Sequence, residues 1–141
     1  YRVAGDGTVS IERAATTYTK NQFGVPDPSY LDTETLLLLA HLRQDWRAYH
    51  NLRQFNTYKL RDDTDRIQVG DFVMTPEIYR GEIVARASLY EAQGWIEDLV
   101  GFKRDLRVER NAADRSRLDV LWPPNLTNGV RTMAMSLQFR L

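Results

Sequence analysis

The stretch "DLRVERNAADRSRLDVLWPPNLTNG" (105–129) decides the class of fold. Leu106 and Val108 alternate with Arg107 and Glu109, the period of a strand with one covered face. "NAADRS" (111–116) reads as a turn. Leu118, Val120 and Trp122 then alternate with Arg117, Asp119 and Leu121. Pro123-Pro124 ends that strand, because proline has no N–H to give a ladder. Asn128-Gly129 predicts a further turn. Beyond it, "VRTMAMSLQFRL" (130–141) predicts a third consecutive strand. Met133, Met135, Leu137, Phe139 and Leu141 share one face; Ala134, Ser136, Gln138 and Arg140 share the other.

Upstream the period changes. A short helix is expected over about 96–104. Before it, "MTPEIYRGEIVARASLYEAQGW" (74–95) opens a helix with Thr75 as N-cap, Pro76 at the first helical position and Glu77 at the positive end of the dipole. Ile78, Ala85, Leu89 and Ala92 are expected as its inner face, and Gly94 as its stop. "KLRDDTDRIQVGD" (59–71) reads as an irregular, charged connection. A longer helix is expected over about 32–54, capped by Asp32 or Thr33, with Leu39, Leu42, Trp46 and Tyr49 at three- and four-residue steps. Leu36, Leu37 and Leu38 widen its apolar face, so its N-terminal end is expected to be buried on several sides. "NQFGVPDPSY" (21–30) is a loop. "TVSIERAATTY" (8–18) is a strand with Val9 and Ile11 on one side.

Strands that follow one another, rather than alternating with helices, indicate an α+β domain. The expected architecture is a mostly antiparallel sheet of about four strands, with two long helices and one short helix packed on one face. The 141 residues fit a single domain, 1–141. With no starting methionine, the chain is expected to be a fragment of a longer protein.

Composition narrows the function. Lys plus Arg equals Asp plus Glu, 19 each, so nothing global favours nucleic acid or an anionic membrane, and charge repulsion does not oppose self-association. The absence of cysteine excludes disulfides and thiolate metal sites. The longest apolar run, Leu36–Ala40, is far too short to span a bilayer.

Motifs for catalysis are missing as well. His41 and His50 lie nine residues apart on one helix and cannot form a metal pair at four-residue spacing. "DDTD" (62–65) has alternating acids, but Arg66 stands where a calcium loop needs its next ligand and no glycine follows. "GDG" (5–7) lacks the third glycine of a dinucleotide loop. No serine lies in a nucleophile elbow. "NLT" (125–127) is a chance glycosylation triplet. The carboxylate pairs Glu97-Asp98 and Asp62-Asp63 read as surface charge. No cofactor and no metal are expected. The reading from another class, a small hydrolase or metal-binding enzyme, would need a pocket with converging titratable groups. One local imbalance stands out: Lys103, Arg104, Arg107, Arg110, Arg115 and Arg117 face only Asp105, Glu109 and Asp114. It is either a solvated rim or a face for an acidic partner.

Several segments in order carry a resemblance: "SIERAATTY", "DPSYLDTETLLLLAHLR", "VMTPEIYRGEIVA", "FKRDLRVERNAADRSRLDVLWPPNL" and the closing "LQFRL". From about Val9 to Leu141 the chain resembles the C-terminal domain of contractile phage tail sheath proteins, nearest the Mu-like branch. The resemblance implies a structural subunit that polymerises around an inner tail tube and contracts to drive the tube through the host envelope. It implies identical subunits, the tube protein, and baseplate and tail terminator proteins as partners. Neither nucleic acid nor membrane insertion is among them. It implies a place in the virion tail, assembled in the host bacterial cytoplasm. A bacterial tailocin sheath would fit the same residues.

In that family the C-terminal domain lies next to the tube, and terminal arms of neighbouring subunits add strands to its sheet. Carried onto this chain, Met133, Met135, Leu137, Phe139 and Leu141, with Val9 and Ile11, are the expected strand-addition interface. Lys103, Arg104 and Arg107 are the expected tube contact. Two pairings stay open for the last strand: a place within its own sheet, or addition to a neighbour's.

Overall fold

The computed structural model describes residues 1–11, 13–64, 66, 72–130 and 132–138. Its N-terminus is a short antiparallel hairpin of β1 (Arg2–Val3) and β2 (Val9–Ser10). The strand expected over 8–18 therefore stops at Ser10. Beyond it the chain runs extended along residues 31–33, held by a single bridge between Ala15 and Asp32. Thr16 N–H donates to the Leu31 carbonyl at 2.6 Å and Thr33 N–H to Ala14 at 3.1 Å. Residues 21–30 form the expected loop. The Asn21 side-chain oxygen accepts from the N–H groups of Phe23 and Val25, and Gly24 supplies a left-handed φ of 77°.

Helix α1 (Thr33–Leu52) follows, with Asp32 as its N-cap residue. Leu42 is buried and Trp46 and Tyr49 are half-buried, as the spacing predicts. The N-terminal end differs from expectation. Leu36 is 41% and Leu37 69% exposed, and of the three leucines Leu38 packs on the core. After a 3-10 turn (Phe55–Thr57), β3 (Lys59–Leu60) pairs in parallel with β4 (Val73–Met74). The charged connection thus carries a strand pair that its composition does not announce.

Helix α2 (Pro76–Ala92) begins as predicted. Thr75 Oγ1 accepts from Ile78 N–H at 3.3 Å, Pro76 occupies the first position, and Gly94 turns the chain out at φ 72°. Its inner face is a correction. Ile83, Ala87 and Tyr90 are buried, whereas Ile78, Ala85, Leu89 and Ala92 are exposed. The helix carries two apolar stripes, and polar neighbours select between them. Arg86 and Tyr90 both reach Asp45 on α1, and Glu82 reaches Tyr49 and Arg53. These bonds form only with the 83/87/90 stripe turned inward.

Next come β5 (Ile96–Glu97), α3 (Leu99–Asp105), β6 (Arg107–Arg110), β7 (Leu118–Leu121) and β8 (Asn125–Leu126). β6 and β7 form an antiparallel hairpin, with Val108 opposite Val120 and Arg110 opposite Leu118. β5 pairs antiparallel with β8. The molecule is α+β as expected. Its described strands form four separate pairs, however, rather than one sheet of about four. The core is Leu42, Ile83, Ala87, Tyr90, Ile96, Phe102 and Leu106. Burying each of the large side chains contributes roughly 1.5–3 kcal/mol before entropy.

The α1–α2 junction is polar and aromatic. Asp45 accepts from Arg86 Nε at 2.8 Å and Nη2 at 2.5 Å, and from the Tyr90 hydroxyl. The Arg86 guanidinium also lies 5.2 Å from the Tyr49 ring centroid. Arg86, with help from Tyr90, holds the Asp45 carboxyl below its ordinary 3.8. A depressed carboxylate stabilises the fold above its unfolded pKa, and that stability is lost as pH falls through the folded value. Asp45→Asn should therefore lower stability near neutral pH by about 1.5–3 kcal/mol, the range for hydrogen bonds to charged groups. In denaturant titrations the gap between variant and parent should narrow as pH drops below 3.8. A gap independent of pH would contradict this account.

Candidate functional site

No group of three or more metal-ligating side chains occurs among the described residues. His41 meets the Trp95 ring edge-on at 4.5 Å, and His50 lies between the rings of Phe55 and Tyr79. The "DDTD" acids serve the hairpin. Asp62 pairs with Arg110 at 3.0 Å and Arg115 at 2.8 Å, and Asp63 accepts from Glu77 N–H at 2.8 Å. Asp65 lies outside the described residues. What stands open on this molecule is backbone and apolar surface.

The C-terminal stretch shows it first. Residues 132–138 join no strand, and Met133, Met135 and Leu137 are 89%, 93% and 93% exposed. Phe139 and Leu141 lie outside the described residues. The turn expected at Asn128-Gly129 does not form; the chain passes straight on beside Glu34 of α1. Val9 and Ile11 are exposed too, at the other end of the chain. The total accessible surface is 11413 Å², against roughly 7,500 Å² for a compact monomer of this mass.

The β6–β7 hairpin has free edges. Asn111 N–H donates to the Arg117 carbonyl at 2.9 Å, which makes that pair hydrogen-bonded. Alternation along an antiparallel ladder then makes 109/119 and 107/121 hydrogen-bonded and 108/120 and 110/118 not. Consequently the N–H and C=O groups of Leu118 and Val120 point away from β6, along an edge that no described strand occupies. Beneath this edge lie two cavities. One, of about 350 Å³, is lined by His50, Phe55, Tyr58, Tyr79 and Leu118 among others. The other, of about 240 Å³, lies between Trp46, Tyr79, Ile83, Val120 and Trp122. Trp122 Nε1 is buried without an acceptor among the described residues, a condition that costs about 1–3 kcal/mol. The strand alternation marked this hairpin, but its aromatic floor was missed. The signal was the run Trp46, Tyr49, His50, Phe55 and Tyr58, which continues past the end of the helix where periodicity stops being informative.

The basic stretch is more neutral in space than in sequence. Asp62 answers Arg110 and Arg115, Asp119 answers Arg117, and Asp105 takes Arg104 through two bonds of 2.8 Å. Asp62 is held below the ordinary carboxyl value chiefly by Arg110, and Asp105 chiefly by Arg104. Lys103 and Arg107 are exposed and make no ion pair with a described residue. Their position is fixed by α3. Asp98, left-handed at φ 57°, accepts from Gly101 N–H at 2.9 Å, and Glu91 accepts from Leu99 N–H at 3.1 Å. At the other end Arg80 donates to the carbonyls of Lys103 and Leu106, satisfying the helix C-terminus from α2. The structure places Lys103 and Arg104 near the end of α3 and Arg107 at the start of β6, all three exposed. It does not bring them near the 132–138 stretch by any described contact.

Comparison with known proteins gives these features a context. Residues 25–140 match the family model of the phage tail sheath C-terminal domain. The chain belongs to this family. It is also 38% identical, over all 141 of its residues, to the Mu-like prophage FluMu tail sheath protein of Haemophilus influenzae. The chain spans 29% of that relative's length. A tail sheath domain is a structural module.

Helix α3 supplies a test of the local geometry. A Cβ on Gly101 would sit 2.2 Å from Asp98 Oδ2, so alanine there must expel the capping carboxylate. A Cβ on Gly81 of α2 meets nothing within 4 Å. Gly81→Ala should stabilise by about 0.5–1 kcal/mol. Gly101→Ala should destabilise, because loss of a cap costs about 0.5–2 kcal/mol. Thermal melts of the two variants should move in opposite directions.

Proposed function

We propose that this domain is the tube-proximal, C-terminal part, residues 1–141, of a contractile tail sheath subunit. The subunit polymerises around an inner tail tube, and neighbouring copies are laced together by β-strand addition. The observation that carries this reading is the arm. Met133, Met135 and Leu137 alternate along an extended segment, almost wholly exposed, beside a domain whose hairpin edge is unpaired. An unpaired edge is a template for another strand, and the alternation supplies register, since a slip of one residue would turn every apolar side chain outward. Each such side chain, once covered, contributes roughly 1.5–3 kcal/mol before the entropy of ordering the arm is subtracted. A link of this kind holds copies together while they rotate and slide. Phe139 and Leu141 extend the same stripe in sequence, and Val9 and Ile11 offer a second exposed segment for the same use.

The corner formed by Lys103, Arg104 and Arg107 faces the tube in this proposal. Exposed charges make contacts that are weak and tolerant of register, as a sliding surface requires. The partners are then identical sheath subunits, the tube protein, and baseplate and tail terminator proteins at the two ends. The place of action is the virion tail, after assembly in the host cytoplasm.

Two experiments test the reading. Deleting Met133–Leu141 should leave the circular dichroism spectrum and melting temperature nearly unchanged while abolishing concentration-dependent association in analytical ultracentrifugation. Unfolding of the truncated chain would show that the segment belongs to its own core. Separately, Lys103→Glu with Arg107→Glu in the full-length sheath protein should prevent assembly on the tube, read by electron microscopy. Normal tails from that variant would remove these residues from the tube contact.

A further inference from the structure

We infer that Phe23, at the tip of a stalk formed by residues 16–31, is a knob that enters the groove beside Leu37, His41 and Trp95 on a second copy of the chain, with Lys20 of the stalk paired to Glu34 on the groove's rim. This is a contact between side chains, separate from strand addition, and it needs only that copies of the domain meet. The stalk is a closed loop. Asp27 N–H donates to the Thr19 carbonyl at 3.0 Å and Asn21 N–H to that of Val25 at 2.9 Å, with a bridge between Lys20 and Pro26. Lower down, the Tyr18 hydroxyl donates to Asp27 at 2.7 Å and its ring meets Tyr30 edge-on at 5.3 Å. At the tip, Gly24 N–H donates to the Asn21 carbonyl, and Asn21 Oδ1 takes the N–H groups of Phe23 and Val25. Those three donors are satisfied within the loop, so they are not open to a strand. What the tip presents is apolar side chain: Phe23 is 79% and Val25 55% exposed. A ring carried on a loop already ordered by its own bonds loses little freedom when it docks.

The groove has the matching character. About 630 Å³ in volume, it lies beside the first turns of α1 and is lined by Glu34, Leu37, Leu38, His41, Trp95 and Gly129 among others. Leu38 and Trp95 are anchored on the core, and Trp95 is held from two sides, stacked on Tyr90 at 5.7 Å and met edge-on by His41 at 4.5 Å. The lining is therefore fixed, aliphatic on one side and aromatic on the other. A phenyl ring suits such a site, because it packs on leucine and meets an indole edge-to-face.

Charge selects the occupant. Lys20 and Glu34 are both exposed, and neither makes an ion pair with a described residue. Lys20 stands three residues before Phe23, and Glu34 stands three before Leu37 on one face of α1. A cation thus flanks the knob and an anion flanks the hole. The stalk's acid, Asp27, is already taken by Tyr18 and Ser29, so Lys20 is the unanswered charge near the tip. Within one chain Phe23 is bare, so its own groove does not hold it. One knob with one exposed ion pair buries far less than the roughly 1,200 Å² of a stable interface. The contact is weak singly and acts by repetition between copies that other links already hold together.

The chain has no cysteine, so disulfide trapping can capture a weak contact cleanly. Chains carrying Gln22→Cys, beside the knob, would be mixed under mild oxidation with chains carrying Thr127→Cys or Asn128→Cys, which line the groove. Leu89→Cys, on the exposed side of α2, is the control. Interchain disulfide to the groove is expected at least tenfold above that to the control, and equal yields would overturn the inference. Adding Phe23→Ala to the Gln22→Cys chain should bring the yield down to the control; a yield that survives would remove the knob. Lys20→Glu should lower the yield at least threefold, and Glu34→Lys in the groove chain should restore it. Failure of either change would remove the ion pair, and with it the argument that a second copy is the occupant. A double variant, Gln22→Cys with Asn128→Cys, should stay unlinked at high dilution; closure within one chain would assign the knob to its own groove and overturn the proposal. Finally, trapping should persist in chains that lack Met133–Leu141. Loss of trapping there would make the contact a by-product of the arm, whereas its persistence upholds the knob whether or not strand addition stands.

Discussion

The rotation of α2 about its own axis is the setting on which the rest of the structure depends. This helix touches β5, α3 and β6, and through side chains it also holds α1. Its rotation is fixed by a charged contact. Arg86 and Tyr90 converge on Asp45, and this turns Ile83, Ala87 and Tyr90 inward. Ala87 is fully buried, and so small a side chain lets a neighbouring element pack close to the helix. Arg80, one face further round, then falls at the end of α3 and ties the start of β6. The hairpin is placed by α2, and the open edge is placed by the hairpin.

That dependence explains which parts were legible in the sequence. Local chemistry was: Thr75-Pro76 opens α2, Gly94 ends it, and the 106–109 and 117–122 alternation becomes the hairpin. Information carried by distant partners was not. The stripe Ile78, Ala85, Leu89 and Ala92 is the more aliphatic face of α2 and satisfies the helical period equally well. Only the position of Asp45, some forty residues upstream, rejects it. The same holds for the acids at Asp62 and Asp63, which look solvated in sequence and prove to clamp Arg110, Arg115 and the start of α2. Of the candidate site, the residue list of the arm was legible from alternation. Its edge was not, because an edge is defined by which neighbour is missing.

The apolar arm also explains a feature that would be a fault in a solitary protein. A neutral chain with an extended, exposed stripe of methionine and leucine invites indiscriminate pairing. Here the hazard is confined by geometry. The segment passes Glu34 in the first turn of α1, whereas an aromatic-lined cavity lies by His50 and Phe55 near the last turn. In the proposed strand addition, the exposed stripe is covered by another copy rather than by its own domain. Head-to-tail use of two different surfaces gives a ring where the rotation closes and an open helical polymer where it does not.

Such a polymer can move only if its links survive changes in the angle between copies. A packed interface between rigid faces has few alternative arrangements, since shape-matched surfaces lose contact over a fraction of an ångström. A strand held by a ladder at one edge is different. Its hydrogen bonds fix register along one line and need no packed face between the joined domains. In the proposed strand addition, domains rotate about such connections without breaking them. The two-stranded hairpin, with an unpaired edge and beneath it an indole N–H that has no acceptor among the described residues, is in the proposed strand addition the part that receives a neighbour's strand.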